Sequence, residues 1–342
     1  MKTKVEVADF EDWRETVDEV AELLQQGEVV ALPTETVYGL AADVTNEEAL
    51  AKVYEVKERP SYDPLIVHLG NWSDLKKVAI VPEELSELVI TLTKEFWPGP
   101  LTVVLPKKPG LSDRVTSGLD TVAVRVSAHE VMRAVAKKVG PIAAPSANRF
   151  GRLSPTSAAA VVAELDGKIP LVVDGGACRD GLESTIVKLE IAKEKPLITI
   201  LRPGPITRDD LRPFGVVKKL KAPKSAEQIE VPGQLESHYA PDAEIVLFEK
   251  GSEFEAEEGK KYALLSYRGD SHLEEAHEWI GKEALSPGSG KLAEAGVRLY
   301  YCLRLLDALE PDVILVEKMS ETGVGVAMLD RLRRASVRAE KS

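Results

Sequence analysis

The sequence has few residues of the kind that metal sites and redox enzymes depend on. Among its 342 residues there are two cysteines, Cys178 and Cys302, far apart in the chain. They match no metal-binding or redox spacing. Two isolated cysteines fit a reducing compartment and a fold without disulfides. We found no Ser-His-Asp or Cys-His arrangement among the motifs, so covalent catalysis by a protein nucleophile has no support.

Long apolar runs and an excess of positive charge are also missing. No run approaches the about 20 apolar residues that a membrane-spanning helix needs. The opening stretch MKTKVEVADFEDW lacks the apolar core of a signal peptide. We therefore expect a cytoplasmic protein that does not enter a membrane. The formal net charge of -12 disfavours strong non-specific binding of nucleic acid, although it leaves room for a local basic cleft.

The chain is long enough for about two domains, and the pattern predicts where they divide. Residues 1–215 alternate apolar strands with helices, the first helix over 9–26 with Phe10 and Trp13 on its apolar face. Residues 216–242 contain prolines and many charges and predict a linker. Residues 243–342 predict a smaller, Rossmann-like α/β domain with a parallel sheet. Its expected elements are strands at 244–248, 262–267 and 312–317, and helices at 270–280, 289–309 and 325–335.

One stretch, 28–69, has the features of a functional site. A strand over Glu28–Leu32 leads into the polar turn Pro33–Thr36, and a helix follows. Thr45 is the expected N-cap, with Glu48 completing a capping box. The helix ends at Lys57 and Arg59, which either serve a ligand or complement the helix dipole, an effect of about 0.3–1 kcal/mol.

Two further places combine strands with polar groups. The strand near Pro141 runs into a turn that contains Ser146 and Asn148, and Ser154 follows. Such side chains often only close the turn, but in open α/β sheets ligands also gather where strands end. The predicted strand 121–126 includes Arg125, a charge that is costly to bury unless it is paired. A structural ion pair and a ligand contact both remain open for Arg125.

Taken together, the motifs resemble the YrdC-type L-threonylcarbamoyladenylate synthases in their long, two-domain form. The blocks that match are PTETVYGL (33–40), K-x-RP (57–60), PLIVHL (64–69), WPGPLT (97–102), VAVRV (122–126), APSAN (144–148), SPT (154–156), ESTIV (183–187), LRPG (201–204), HYAP (238–241) and the tail GVGVAMLDRLRRAS (323–336). Most of these blocks fall within 28–204. The chain departs from the usual pattern at Asp63, Gln234 and Lys188, where the family often has Asn, Met and Asp.

The resemblance implies an activity, substrates and a fold. The enzyme would form threonylcarbamoyl-AMP and pyrophosphate from L-threonine, bicarbonate or CO2, and ATP, with Mg²⁺ or Mn²⁺ held mainly by the ATP phosphates. The product would pass to a tRNA threonylcarbamoyl transferase machinery that modifies the adenosine beside the anticodon, while tight direct binding of tRNA is not expected. The implied fold is a twisted mixed α/β sheet followed by the Rossmann-like domain.

The resemblance also implies which residues form the site. Lys57 and Arg59 would be catalytic. The residues implied for ATP are Arg59, Asp63, Thr121, Ser146, Asn148, Ser154, Arg202, His238 and Tyr239. The residues implied for threonine are Thr36, His68, Arg125, Ala144 and Ser184. A buried core histidine is the alternative for His68.

The linker is expected to take part in the site. Residues 232–241 are predicted to close over the nucleotide as a lid, with His238 or Tyr239 near ATP. The alternative is that Tyr239 only packs against the start of the second domain.

Two other functions compete with this interpretation. A carbamoyl transferase of the hydrogenase-maturation kind has a related domain, but it would require cysteine-rich zinc motifs. A non-catalytic RNA-binding module would show an affinity that falls steeply with salt.

We expect the site to distinguish amino acids by their hydroxyl group. Serine should be a poorer substrate than threonine but a better one than 2-aminobutyrate, because a site built to bond a hydroxyl rejects the analogue without one. Competition assays of adenylate formation measure this order. Arg125→Ala should weaken threonine dependence, and an unchanged Michaelis constant for threonine would assign Arg125 to the core alone.

Overall fold

The computed structural model describes residues 2–8, 13–219 and 229–337. Phe10 and residues 220–228 of the predicted linker lie outside these ranges. The chain divides into two compact units: Met1–Phe150, Pro155–Arg179 and Glu183–Leu235 form the first, and Gly151–Ser154, Asp180–Leu182 and Glu236–Ser342 form the second. The domain boundaries expected from the sequence stay a prediction. No helix in the described ranges is long and apolar enough to cross a membrane.

The described part of the first unit is built on a mixed sheet of eleven strands. In chain order these are β1 (Lys4–Val7), β2 (Val30–Leu32), β3 (Gly39–Asp43), β4 (Ile66–His68), β5 (Leu101–Pro106), β6 (Thr121–Arg125), β7 (Ile142–Ala143), β8 (Leu171–Asp174), β9 (Thr185–Ala192), β10 (Lys195–Arg202) and β11 (Val216–Lys219). Their spatial order is β1-β8-β2-β3-β7-β4-β6-β5-β9-β10-β11. Parallel pairs such as β4 with β6 lie beside antiparallel pairs such as β6 with β5. This arrangement confirms the predicted mixed sheet.

Helices cover the sheet. They are α1 (Trp13–Gln25), α2 (Glu47–Lys57), α3 (Leu75–Val78), α4 (Ser86–Phe96), α5 (Asp113–Thr116), α6 (Glu130–Val139), α7 (Ala158–Leu165) and α8 (Arg208–Leu211), with short 3-10 turns at Trp72–Asp74, Glu83–Leu85 and Arg212–Phe214. Because side chains alternate along a strand, each strand contributes to both faces. Ala31 belongs to the main core, while its neighbours Val30 and Leu32 pack in a second cluster with α1 and α6.

The second unit has a separate sheet of four described strands, all parallel. The strands are β12 (Glu244–Phe248), β13 (Tyr262–Ser266), β14 (Gly281–Ala284) and β15 (Val313–Glu317), and the helices are α9 (Leu292–Asp307) and α10 (Gly325–Ala335). The spatial order is β12-β15-β13-β14. This confirms the Rossmann-like parallel sheet that the alternation of strands and helices predicted.

The start of α2 differs from the prediction. The residues after the polar turn, Gly39–Asp43, form β3 and pair antiparallel with β2, so the helix does not follow the turn directly. The N-cap is Asn46, whose Oδ1 accepts hydrogen bonds of 3.0 Å from the amides of Glu48 and Ala49. The Thr45 hydroxyl instead donates to Asp43, and Thr45 lies one residue before the N-cap.

The predicted helix over 270–280 is wrong. This stretch forms turns, and strand β14 follows it. Its aromatic side chains are used in packing instead, since Trp279 stacks on Phe254 and donates a hydrogen bond to the carbonyl of Leu273. Tertiary contacts have here overridden a helical propensity. Strands β1 and β11 were also missed by the prediction, β11 at the start of the expected linker.

Candidate active site

One face of the first sheet brings together many of the predicted site residues. Ala123 on β6 packs in a small apolar cluster with Ile66, Val104, Ile186, Leu201 and Val231. Because alternate residues of a strand share a face, Thr121 and Arg125 lie on the same side of β6 as Ala123. By the same reasoning His68 lies on the side of Ile66, and Ser184 on the side of Ile186. We refer to this side of the sheet as the site face.

At one end of β6, Arg125 is held in a buried ion pair. Its Nη2 lies 2.7 Å from Glu35 Oε2, and both side chains are at most 4% exposed. Arg125 Nη1 donates to Thr36 Oγ1 at 3.0 Å. Ser127 Oγ also donates to Glu35 Oε2. The ion-pair alternative for Arg125 is therefore present in the structure, while its contact with threonine stays a prediction.

Glu35 is ionised in this setting. Burial by itself raises the pKa of its carboxyl, but the Arg125 charge and the Ser127 hydrogen bond outweigh burial and hold the pKa below its ordinary value. The second oxygen, Oε1, is buried and has no hydrogen-bond partner among the described residues. Buried acceptors normally have a partner, so this oxygen is a candidate for contact with a ligand.

The polar turn that presents these groups is organised by Thr34. Its Oγ1 donates to the carbonyl of Val37 at 2.6 Å and accepts from the amides of Thr36 and Val37. The hydroxyls of Thr34 and Thr36 lie 2.8 Å apart. Since the single hydroxyl hydrogen of Thr34 goes to the Val37 carbonyl, the Thr36 hydroxyl donates to Thr34 Oγ1. The turn is thus rigid before any ligand binds.

His68 lies beside Arg125, because β4 and β6 pair these two residues directly. Burial lowers the pKa of the His68 imidazole to about 3, with the neighbouring Arg125 charge as a further cause. The ring is therefore neutral at physiological pH. The backbone of Ala144 is close enough to the ring to oppose this fall in pKa, and Nδ1 is buried with no partner among the described residues. These contacts bring together four residues predicted for threonine: Thr36, His68, Arg125 and Ala144.

A second cluster forms where α2 ends. Lys57 is 1% exposed, and its Nζ donates to the carbonyls of Ser146 and Asn148 at 2.5 Å each. The amide of Phe150 returns a hydrogen bond of 2.7 Å to the Lys57 carbonyl. The end of α2 and the Ser-Ala-Asn turn are therefore tied together. Burial, reinforced by the Arg59 charge, lowers the pKa of the Lys57 ammonium well below its ordinary value.

Arg59 is also buried, and Asp63 accompanies it. Arg59 Nη2 lies 3.0 Å from Asp63 Oδ2, and the guanidinium donates to the carbonyls of Asp63 and Pro64. Burial raises the pKa of the Asp63 carboxyl, while the Arg59, Lys57 and Arg202 charges oppose that rise. Asp63, a departure from the family pattern, thus places a buried carboxyl beside the two predicted catalytic cations.

Arg202 and Ser184 form a third group. Arg202 donates through Nε to the Ser184 carbonyl and through Nη2 to Ser184 Oγ, each at 3.1 Å. Ser184 Oγ lies 2.7 Å from the hydroxyl of Thr102. The structure therefore links Ser184 to the predicted ATP residue Arg202. Ser184, which was predicted to bind threonine, precedes β9, and β9 lies two strands away from the strand of Arg125 in the order β6-β5-β9.

The described residues that end the first unit, 229–235, lie against the site face. Val231 packs in the small apolar cluster of that face. Arg202 Nη1 donates to the carbonyl of Pro232 at 3.3 Å. Lys188 pairs with Glu230 at 2.8 Å, so this departure from the family pattern serves an ion pair with the linker. Gln234 Oε1 accepts from the amides of Glu230 and Val231.

The remaining predicted residues take no part in the three groups described above. Thr121 begins β6, four residues from Arg125, which corresponds to about 13 Å along a strand. Ser154, His238 and Tyr239 belong to the second unit. Tyr239 is 2% exposed; its ring lies 4.1 Å from that of His238 and 6.2 Å from that of Tyr300, and the guanidinium of Arg331 lies 5.1 Å from it. Tyr300 and Arg331 lie on α9 and α10, whereas the alternative placed the contacts of Tyr239 at the start of the second domain. The lid stays a prediction.

Several residues of the site were not assigned from the sequence. Glu35 lies inside the Pro33–Thr36 turn, yet its role depends on Arg125, which approaches only in the fold. Ser127 and Thr102 likewise act through partners distant in the chain. Thr34 lies in the same turn as Glu35 and closes it locally through Val37. The sequence held one signal for these residues: Arg125, a charge within an apolar strand, requires a carboxylate partner, but the sequence does not show which carboxylate it is.

We expect Lys57→Ala and Arg59→Ala each to reduce turnover by about 100- to 1,000-fold, the usual effect of losing one preorganised electrostatic donor. Lys57→Ala also leaves the carbonyls of Ser146 and Asn148 without their donor. Steady-state kinetics would measure the loss, with circular dichroism to confirm folding. Lys52→Ala is the matched control, since Lys52 is on the same helix but partly exposed and paired with Glu28. Near-normal turnover of either variant would contradict a catalytic role for that residue and favour the alternative that it only complements the helix dipole.

Comparisons with known proteins find similarity over nearly the full length of the chain. A family model described as "Telomere recombination" matches residues 22–204, and one described as "Threonylcarbamoyl-AMP synthase, C-terminal domain" matches residues 206–337. The chain is 38% identical over 345 residues to a threonylcarbamoyl-AMP synthase of Pyrococcus abyssi, covering 96% of this chain and 95% of that protein. It is 40% identical over 349 residues to a threonylcarbamoyl-AMP synthase of Bacillus subtilis, covering 98% of each. A crystal structure of P. abyssi Sua5 complexed with L-threonine matches with a TM-score of 0.86 at 34% identity, covering 98% of each chain. The chain therefore belongs to the threonylcarbamoyl-AMP synthase family.

Proposed function

We propose that this chain condenses L-threonine, bicarbonate or CO2, and ATP into threonylcarbamoyl-AMP, with release of pyrophosphate and, from bicarbonate, water. The observation that supports this most directly is the buried group on the site face, where Arg125 is paired with Glu35 and bonded to Thr36 beside His68. The names of the two relatives, and the L-threonine with which P. abyssi Sua5 is complexed, support the same reaction.

The threonine pocket is formed by Arg125, Glu35, Thr36 and His68. A zwitterionic amino acid offers one group of each charge, and the Arg125–Glu35 pair offers the opposite charges side by side. Arg125 would receive the carboxylate, and the open Glu35 Oε1 would receive the amino group. His68 Nδ1, which is buried with no partner among the described residues, would accept a hydrogen bond from the threonine hydroxyl.

The first step adds the neutral amine of threonine to CO2 and yields an N-carboxylate. The second step is attack of that carboxylate on the α-phosphorus of ATP, with pyrophosphate leaving. Both steps join negatively charged groups, so the protein mainly supplies positive charge, position and exclusion of water. The cations around the nucleotide would be Lys57, Arg59 and Arg202.

The nucleotide site would also use polar groups that the fold orders in advance. Ser146 and Asn148 lie in the turn that Lys57 holds, and Asp63 lies against Arg59. No group of three or more His, Cys, Asp or Glu side chains in the described part of the chain is placed to hold a metal ion. We therefore treat Mg²⁺ or Mn²⁺ as part of the ATP substrate, held by its phosphates, and assign no step to it.

Threonylcarbamoyl-AMP is a mixed anhydride that water destroys. Its consumer would be a tRNA threonylcarbamoyl transferase machinery acting on the adenosine beside the anticodon. An unstable product favours a site that is shielded while the anhydride forms.

We expect pyrophosphate release from ATP to require threonine and bicarbonate together, because neither alone provides the nucleophile. A coupled pyrophosphate assay with each cosubstrate omitted in turn tests the reaction, and mass spectrometry identifies the adenylate. Equal release with neither cosubstrate would leave a simple nucleotidase and contradict the synthase.

We expect residues 232–241 to close over the nucleotide as a lid, since lids that exclude water often limit turnover. The support is Arg202, which already bonds the Pro232 carbonyl. ATP should protect the linker from limited proteolysis, and Tyr239→Ala should lower turnover or raise the Michaelis constant for ATP. Tyr301→Ala, an exposed tyrosine on α9, is the control. Equal cleavage with and without ATP, together with normal activity of Tyr239→Ala, would make the segment a tether.

A further inference from the structure

Two neighbouring grooves on the first unit meet at Trp72. The larger, about 620 Å³, lies between the turn that follows β4, helix α4 and helix α6. The smaller, about 510 Å³, extends from Trp72 along α3. Aliphatic side chains line both, including Ile90 and Val126 in the first and Leu75, Ile80 and Val81 in the second. We call the two grooves together the Trp72 surface; they share no lining residue with the predicted site.

Trp72 is exposed and yet fixed in position. Its side chain is 49% exposed, but its indole Nε1 donates a hydrogen bond of 3.1 Å to Thr93 Oγ1. Thr93 is buried and donates in turn to the Val89 carbonyl. The preceding Asn71 caps the turn through the amide and hydroxyl of Ser73. An aromatic ring that is rigid before binding loses little entropy on binding, as is typical of interface hot spots.

The floor of the larger groove is also rigid. At Gly70 an added Cβ would lie 2.7 Å from the backbone nitrogen of Lys137, so α6 packs directly on this backbone. Arg133 donates to the carbonyls of Ser127 and Ala128. The groove is therefore part of the packed fold and does not depend on movable side chains.

The charges around the Trp72 surface are all of one sign. The charged residues that line it are Lys76, Lys94, Lys108, Arg133 and Lys137, and no Asp or Glu lines either groove. None of these five forms an ion pair with a carboxylate in the described ranges, whereas neighbours such as Lys77 and Lys138 do. Such a concentration of unpaired cations is unexpected in a chain whose formal net charge is -12.

We propose that the Trp72 surface is a docking site for an acidic, amphipathic segment of a protein partner. Large apolar side chains of the segment would fill the two grooves on either side of the indole. Its carboxylates would pair with the lysines at the rim, which would speed association and fix the register of the segment. Exposed apolar surface of this kind with a polar rim is typical of protein interaction sites.

Other occupants fit the same surface less well. A symmetric dimer through this face would set like charges against each other, because an isologous contact joins the same patch of both copies. Single-stranded nucleic acid stacks on aromatic rings, but it has no aliphatic groups to fill the volume beyond Trp72. A membrane takes up protruding apolar side chains more readily than concave grooves.

A displayed library of random peptides of about 16 residues, a length that spans about 24 Å as a helix, tests the proposal. The library is selected on the full chain after depletion on the Lys94→Glu/Lys137→Glu variant. We expect the enriched peptides to be acidic and rich in large apolar residues. Trp72→Ala should reduce the affinity for a synthesised copy of an enriched peptide by about tenfold or more. Raising the salt concentration should reduce that affinity further. Pyrophosphate release should be unchanged in both variants, which also verifies their folding.

Controls and alternatives are measured on the same proteins. Lys195→Glu and Tyr301→Ala change an exposed cation and an exposed tyrosine that do not line either groove, and they should leave peptide binding unaltered. The proposal is overturned if no peptide binds the chain better than it binds the Lys94→Glu/Lys137→Glu variant, or if the enriched peptides are neutral or basic. It is equally overturned if poly(U) RNA, anionic phospholipid vesicles or a second copy of the chain in sedimentation binds with this dependence on Trp72.

Discussion

The buried ion pair between Arg125 and Glu35 is the constraint on which the predicted site depends. A guanidinium in the middle of a sheet is very costly to bury alone, so the turn that carries Glu35 must reach β6 for the fold to form. That requirement places Thr36 against Arg125 and sets the polar turn at the end of β2. It also keeps Glu35 ionised despite burial, because the Arg125 charge and the Ser127 hydrogen bond outweigh desolvation. The same contacts that stabilise the fold therefore preorganise the pocket.

A comparable arrangement occurs at the end of α2. Lys57 is buried with its ammonium on two carbonyls of the Ser146–Asn148 turn, while Arg59 beside it is balanced by Asp63. Burial and the neighbouring cation lower the pKa of Lys57, so keeping these two groups close together costs the fold some stability. Perturbed pKa values of this kind cluster at functional sites. The helix-dipole interpretation does not account for two cations that are both withdrawn from water.

The two departures Lys188 and Asp63 show how local changes are absorbed. Lys188, on the site face of β9, pairs with Glu230 of the segment that follows β11 and so helps to hold that segment on the sheet. Asp63 pairs with Arg59 through a carboxylate where the family often has an amide. Each substitution thus has a partner of opposite charge within the first unit, and neither disturbs the arrangement of the predicted site.

The fold class, most of the strands and the polar turns could be predicted from the residues, because apolar periodicity and turn chemistry are local signals. Lys57, Arg59, His68 and Arg125 were candidates on the same basis and on the family resemblance. The prediction failed where local preference was weak or overruled: β3 is short and rich in small residues, and the stretch 270–280 forms turns in which Trp279 packs on Phe254. Three facts became visible in the folded chain: Glu35 is the carboxylate that neutralises Arg125, Ser184 bonds Arg202, and His68 Nδ1 has no partner among the described residues. Those facts depend on which strands become neighbours, and strand order is a long-range property that no local stretch of sequence encodes.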